Sequence, residues 1–198
     1  MQTIKVLYID INNYSVEELL DSLYIKNSEV IKLNEIKSMI TKKEKAASLI
    51  FKNKYVPDYY INEYGKPVSD SVYFNISHSH GLVVFTFDDN HDIGIDIEKI
   101  RAVDNKLIDF ISSEEEKQYI NSESNFYEVW TNKESLMKAI GTGIRSNIKE
   151  IPALPINGVK TYLDNTYYSK TISYQDYIVT VTRKSDEPFI ISVEKANI

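Results

Sequence analysis

Between Gly94 and Glu98 the chain reads Gly-Ile-Asp-Ile-Glu, and this alternation constrains the fold more than any other stretch. Side chains on a strand alternate between faces, so Ile95 and Ile97 turn to a core while Asp96 and Glu98 share the opposite face with Gly94. Two carboxylates held this way are ready ligands for a hard metal ion. The competing reading is the solvated face of an edge strand, the usual fate of alternating acids. Gly94 tips the balance toward a site, because on the acid face it leaves room for a ligand to approach.

A second stretch complements the first. Trp130-Thr-Asn-Lys-Glu134-Ser-Leu-Met-Lys138 has helical spacing, with Glu134 and Lys138 at i and i+4 on one face and Val129, Leu136 and Ile140 on roughly the opposite side. Taken alone, the charged pair could be an ordinary helix salt bridge worth roughly 0.3 to 0.5 kcal/mol. Trp130 lies on nearly the same face one turn earlier, where it would exclude water and strengthen the charges. Carboxylates for a magnesium ion and an ammonium for phosphate charge are what a diphosphate site requires.

The 198 residues, 42% of them apolar, can bury a substantial core. A net charge of -6 lacks the basic footprint of a nucleic-acid protein. The absence of cysteine excludes disulfides, thiolate catalysis and cysteine-bound zinc together. The amino terminus alternates like a strand instead of forming a signal peptide, and no run is long enough to span a membrane, so a cytoplasmic protein is expected.

Pattern and capping signals predict an α+β fold. A strand at Ile4 to Ile9 precedes a helix opened by the capping box Ser15-Val-Glu-Glu18 and running through Leu19, Leu20 and Leu23. A helix from Lys42 to about Val56 ends ahead of Pro57. Strands at Val72 to Ile76, Leu82 to Phe87 and Ile93 to Ile97 suggest an antiparallel meander. Helices then follow at Asn105 to Ile111 and Ser113 to Ile120, with a longer one from about Asn125 to Ile140 stopped by Gly141 and Gly143. Strands are expected at Val159 to Leu163, Tyr167 to Ile172, Tyr177 to Thr182 and Phe189 to Val193. The economical plan is two similar α+β halves, residues 1–100 and 101–198, joined near Ile100 to Asp104, each with antiparallel strands packed on helices. Asp96 and Glu98 would close the first half and Glu134 and Lys138 belong to the second, placing the site in the cleft between them.

Four blocks in order, Tyr64-Gly-Lys66-Pro67, Phe74-Asn-Ile-Ser77-His78-Ser79, Gly94-Ile-Asp-Ile-Glu98 and Trp130-Thr-x-Lys-Glu-Ser-x-x-Lys138, resemble the 4'-phosphopantetheinyl transferases. The similarity is greatest to the longer, two-half branch, of the kind that activates surfactin synthetase, and spans roughly residues 43 to 143. The resemblance implies a pseudo-dimer of the two halves. It further implies transfer of the 4'-phosphopantetheine arm of coenzyme A to a serine of an apo acyl or peptidyl carrier protein, with release of 3',5'-adenosine bisphosphate. By the same resemblance Asp96, Glu98 and Glu134 hold Mg2+, Glu134 doubles as a candidate base, and Lys138 meets the diphosphate. Lys66, Ser77 and His78 would contact the 3'-phosphate end of coenzyme A, their ammonium, hydroxyl and imidazole all being donors to phosphate oxygens. The carrier would serve fatty-acid, polyketide or nonribosomal peptide synthesis and would dock on the second half.

Two departures from the family pattern fall at the nucleotide end: Ser48 stands near a position often held by arginine, and His80 where glycine is frequent. Lys42, Lys43 and Lys45 read first as a solvated helix face and second as nucleotide contacts. Zinc on His78, His80 and His91 competes as an alternative, although no further spacing completes it. A non-catalytic coenzyme A or nucleotide-binding relative is the other functional reading. A pseudo-dimer within one chain makes a monomer the simplest expectation.

Overall fold

The computed structural model describes residues 1–141 and 147–198, so Gly143 lies outside the described residues. Ten strands and six α-helices are found among the described residues. In chain order they are β1 (Gln2–Asp10), α1 (Val16–Leu20), α2 (Asn27–Asn34), α3 (Met39–Tyr55), β2 (Tyr60–Ile61), β3 (Pro67–Val68), β4 (Tyr73–Ser79), β5 (Leu82–Asp88) and β6 (Ile93–Lys99). They continue with α4 (Asn105–Ile111), α5 (Glu114–Tyr119), α6 (Glu123–Ile140), β7 (Gly158–Tyr162), β8 (Asn165–Tyr174), β9 (Tyr177–Arg183) and β10 (Phe189–Lys195).

The α+β class holds, and the capping signals act where the sequence placed them. Ser15 accepts from the Glu18 amide while Glu18 reaches back to the Ser15 amide. Ser113 and Glu116 repeat the device at α5. Gly141 ends α6 in the left-handed region at φ 82, its amide returning to Met137. Some expectations differ. The first helix stops at Leu20 and leaves Leu23 98% exposed, because Asp21 and Ser22 favour turns over a helix interior. Helix α2 went unrecognised, and α3 and α6 begin earlier than expected, on the caps Ser38 and Ser122.

Two four-stranded sheets form, ordered β10-β1-β5-β4 and β6-β9-β8-β7. Strands β4 and β5 make an antiparallel hairpin, but the expected three-stranded meander does not: β6 leaves that sheet and pairs antiparallel with β9, with Asp96 opposite Thr180 and Glu98 opposite Ile178. The last strand, β10, returns to lie parallel to β1. Residue 100 therefore separates two stretches of sequence without separating the sheets, since each sheet takes one strand from the other stretch.

The first sheet packs Leu7, Ile9, Val83 and Phe85 against Ala46, Ala47, Ile50 and Phe51 of α3. Its other face sets Ile4, Val6, Leu82 and Val84 against Ile93, Ile95, Ile97, Val179 and Val181 of the second sheet. The remaining face of the second sheet, carrying Asp96, Thr180 and Thr182, is covered by α6, whose apolar contacts there include Leu136 and Ile178. Helix, sheet, sheet and helix thus stack in layers, and Ile95 and Ile97 face the core as their alternation requires.

Candidate active site

The approach of α6 to β6 is set by Gly94. A Cβ built there would lie 2.0 Å from the Ser135 carbonyl oxygen and 2.4 Å from the Ala139 amide nitrogen, distances at which the helix could not stay. The space beside the acids therefore admits a helix backbone and not a ligand, which corrects the sequence-based reading of this glycine. The consequence for chemistry is indirect: contact at Gly94 brings the next turns of α6 level with Asp96.

Beneath that contact α6 meets the sheet through hydroxyls. Thr131 Oγ1 lies 2.7 Å from Thr180 Oγ1, and Ser135 Oγ lies 2.7 Å from Thr182 Oγ1. Thr180 and Thr182 in turn meet Thr171 and Ser169 across β8. Asn132 donates to Thr171 and accepts from the buried Lys160, whose pKa burial lowers to about 7. Lys133 is fully buried on the far side, donating to the Ile148 and Ile151 carbonyls and pairing with Glu116 at 2.8 Å. Much of the Trp130 to Lys138 motif is accordingly structural. The alternation of valine with threonine through Ile178 to Thr182 and the i,i+4 spacing of Thr131 and Ser135 were the available sequence signals.

The functional stripe of α6 faces the seam where β4 runs beside β6. No backbone ladder joins these strands in the sheets described; polar side chains of β4 span the gap instead. Asn75 Oδ1 accepts the Ile95 amide, Ser77 Oγ donates to Asp96 Oδ1 at 2.8 Å, and Ser79 Oγ donates to Glu98 Oε2 at 2.7 Å. Lys138 Nζ reaches Asp96 Oδ1 at 2.6 Å and Ser77 Oγ at 2.9 Å, so its partner is Asp96 and not the helical neighbour Glu134. Trp130 Nε1 donates to Glu98 Oε1 at 3.4 Å, placing the indole beside the charges.

Burial pushes the Asp96 carboxyl above its ordinary range, opposed by the Lys138 ammonium and the Ser77 hydroxyl. Burial likewise raises Glu134, and repulsion from Asp96 adds to it. Two carboxyls thus hold protons more tightly than they would in water, while Asp96 Oδ2 is buried with no hydrogen-bond partner. Among the described residues no group of three potential ligands is gathered closely enough to hold a metal ion as arranged. The donor set still suits a hard cation: it consists of carboxylate oxygens, one of them buried and unpartnered, that repel one another until a positive charge is supplied.

A cavity of about 230 Å³ opens beside this set, lined in part by Tyr64, Lys66, Asn75, Glu134, Met137 and Lys138. Lys66 Nζ donates to the Lys138 carbonyl at 2.8 Å, where the α6 carboxyl end favours a cation, and burial lowers its pKa. Lys66 and Lys138 therefore border one cavity. Ser77 and His78, neighbours in sequence, do not come together: Ser77 points into the seam, whereas the His78 side chain is half-exposed and lies 3.4 Å from Glu44. The three histidines meet different partners, with His80 on Ser79 and His91 on Asp88, an arrangement unlike a shared zinc site. Lys43 is occupied by the Ile11 and Tyr14 carbonyls, a structural use. Ser79 and Asn75 were missed by sequence reasoning, although Ser77 and Ser79 have the same i,i+2 spacing as Asp96 and Glu98.

Residues 92–182 match the family model described as the 4'-phosphopantetheinyl transferase superfamily. That span runs from the start of β6 through β9 and contains Asp96, Glu98, Glu134 and Lys138. Over that span the chain is similar to these transferases. It is 46% identical over 90 residues to the 4'-phosphopantetheinyl transferase gsp of Aneurinibacillus migulanus, over 42% of this chain and 38% of that one. It is 36% identical over 91 residues to the 4'-phosphopantetheinyl transferase Sfp of Bacillus subtilis (strain 168), over 41% and 40%. It is also 31% identical over 97 residues to the 4'-phosphopantetheinyl transferase AcpT of Salmonella typhi, over 43% and 50%. The chain thus spans half or less of the length of each of these relatives. Among the described residues no helix is long and apolar enough to cross a membrane.

Proposed function

We propose that this protein transfers the 4'-phosphopantetheine arm of coenzyme A to a serine hydroxyl of an apo acyl or peptidyl carrier protein. One observation carries the reading: Asp96, Ser77 and Lys138 converge in a buried seam flanked by Glu98 and Glu134, with Asp96 Oδ2 left without a hydrogen-bond partner. The serine oxygen forms a bond to the β-phosphorus as the bond from that phosphorus to the bridging oxygen breaks, and 3',5'-adenosine bisphosphate leaves.

Asp96, Glu98 and Glu134 would hold Mg2+, which supplies charge neutralisation to the diphosphate when bound. Lys138 shifts from Asp96 toward the diphosphate and stabilises charge on the departing phosphate. Lys66, bordering the same cavity, adds a second ammonium at the phosphate end. Glu134 is the candidate base for the serine proton, directly or through one water; coordination to Mg2+ would lower its basicity, which favours the relay through water. His78, turned toward Glu44, and Ser77, committed to Asp96, leave Lys66 the best placed of the three residues assigned to coenzyme A.

The test is the intact mass of an apo carrier protein after incubation with this protein, coenzyme A and magnesium. A gain of one phosphopantetheinyl group, lost on chelation and reduced at least about a hundredfold in rate by Asp96→Ala, supports the reading. Retained transfer in that variant removes the metal assignment. Coenzyme A binding without transfer to any carrier class favours the non-catalytic relative.

A further inference from the structure

We infer that Ser79 and His80 are positioning residues that orient Glu98, a role that rests on Glu98 serving as a metal ligand. Ser79 pairs with Leu82, so His80 and Gly81 alone form the β4–β5 connection, with φ of 46 and 93. Two-residue hairpin loops with positive φ at both positions favour asparagine then glycine. Here an imidazole takes the first position, and its Nδ1 lies 3.0 Å from Ser79 Oγ. The Tyr177 hydroxyl fixes the turn by donating to the His80 carbonyl at 3.0 Å.

The hydrogen-bond arithmetic sets the tautomer. Ser79 has one hydroxyl proton, and the 2.7 Å contact directs it to Glu98 Oε2, an oxygen that can only accept when ionised. The lone pairs of the same hydroxyl then receive the Lys99 amide at 3.3 Å and, from His80, a proton on Nδ1. Histidine Nδ1–H, serine hydroxyl and glutamate thus form one directional chain. Donation into Ser79 polarises its hydroxyl and strengthens the bond it makes to the carboxylate. Asp96 has a lysine to hold it, whereas Glu98 is held by two neutral donors, Ser79 and Trp130, so its orientation depends on them.

The experiment uses the full chain with Mn2+ as the probe, read by the paramagnetic resonance of free and bound ion. Ser79→Ala is expected to weaken Mn2+ binding about tenfold, at the low end of losses for groups that orient a metal ligand. His80→Asn keeps a residue suited to the turn and therefore the fold, and is expected to weaken binding about threefold. The double variant should bind no more weakly than Ser79→Ala, because His80 acts only through Ser79. Imidazole nitrogen shifts should report the Nδ1–H tautomer in the parent and its loss in Ser79→Ala. Unchanged Mn2+ affinity in His80→Asn, additive losses, or an Nε2–H tautomer would overturn the inference while leaving the transferase reading intact. A parent protein that binds no Mn2+, with or without coenzyme A, overturns the metal reading and this role with it.

Discussion

Helices α3 and α6 each cover one outer sheet face, but they do it with opposite chemistry. Helix α3 sets Ala46, Ala47, Ile50 and Phe51 on an apolar face, and Phe51 stacks on Phe85 with ring centroids 5.3 Å apart. Helix α6 sets Thr131, Asn132 and Ser135 on a face of threonine and serine, and touches the sheet backbone at Gly94. Burial of apolar area is non-directional and tolerates small sliding, whereas paired hydroxyls fix register, because a shift leaves several buried groups unpaired. The helix that carries Glu134 and Lys138 is the one whose register is fixed. This difference assigns a job to residues of the α6 motif that touch no substrate.

The largest test of this contrast is Gly94→Ala. The added methyl meets helix backbone that cannot rotate away, so a loss of about 3 kcal/mol or more in denaturant unfolding is expected, together with loss of transfer. Near-parental stability would show that α6 is free to slide. On the other side of the molecule, Phe51→Ala should cost about 3 to 5 kcal/mol as a cavity while leaving transfer in the surviving folded fraction nearly unchanged. Thr180→Val should cost less, about 1 to 3 kcal/mol, yet lower transfer disproportionately, since it removes the hydroxyl that Thr131 and Thr171 share and loosens the register of Lys138. If both variants lose activity only in proportion to folded protein, the two helices are equivalent and the comparison fails.

Asp96→Asn probes a smaller energy. Burial raises the Asp96 pKa, so ionised Asp96 is a burden on the folded state above its native pKa, one that Lys138 partly relieves. Removing the charge should change stability by less than about 1 kcal/mol in either direction, since the amide can still accept from Ser77 and Lys138. A loss of several kcal/mol in thermal or denaturant unfolding would make the carboxylate a structural element.

The last test reads a slope with pH and concerns Lys160 under α6. Its native pKa of about 7 lies below the ordinary lysine value of 10.5, so between those limits the unfolded chain binds more protons than the folded one. Its contribution to stability therefore rises with pH through that window, and below about pH 7 the cost of the buried ammonium is fully present. Lys160→Met should flatten this part of the stability profile, measured as the parent-minus-variant difference so that other titrating groups cancel. An unchanged slope would mean that Lys160 titrates normally.

Local signals determined a good part of this protein. The capping box at Ser15, the left-handed stop at Gly141 and the alternation in β6 all depend on neighbours in the chain, and each appears where the residues predicted it. The candidate site was equally legible as a list of residue types, because Asp96 with Glu98 and Glu134 with Lys138 are paired by strand and helix periodicity alone. Tertiary structure decided which groups meet. It paired Lys138 with Asp96 in preference to Glu134, turned Ser77 inward and His78 outward, and gave Gly94 to a helix. It also moved β6 into the second sheet and bridged the resulting seam with Asn75, Ser77 and Ser79. Periodicity tells a side chain which face it occupies, but the partner across that face comes from a segment distant in sequence, and its identity is fixed only when the layers pack.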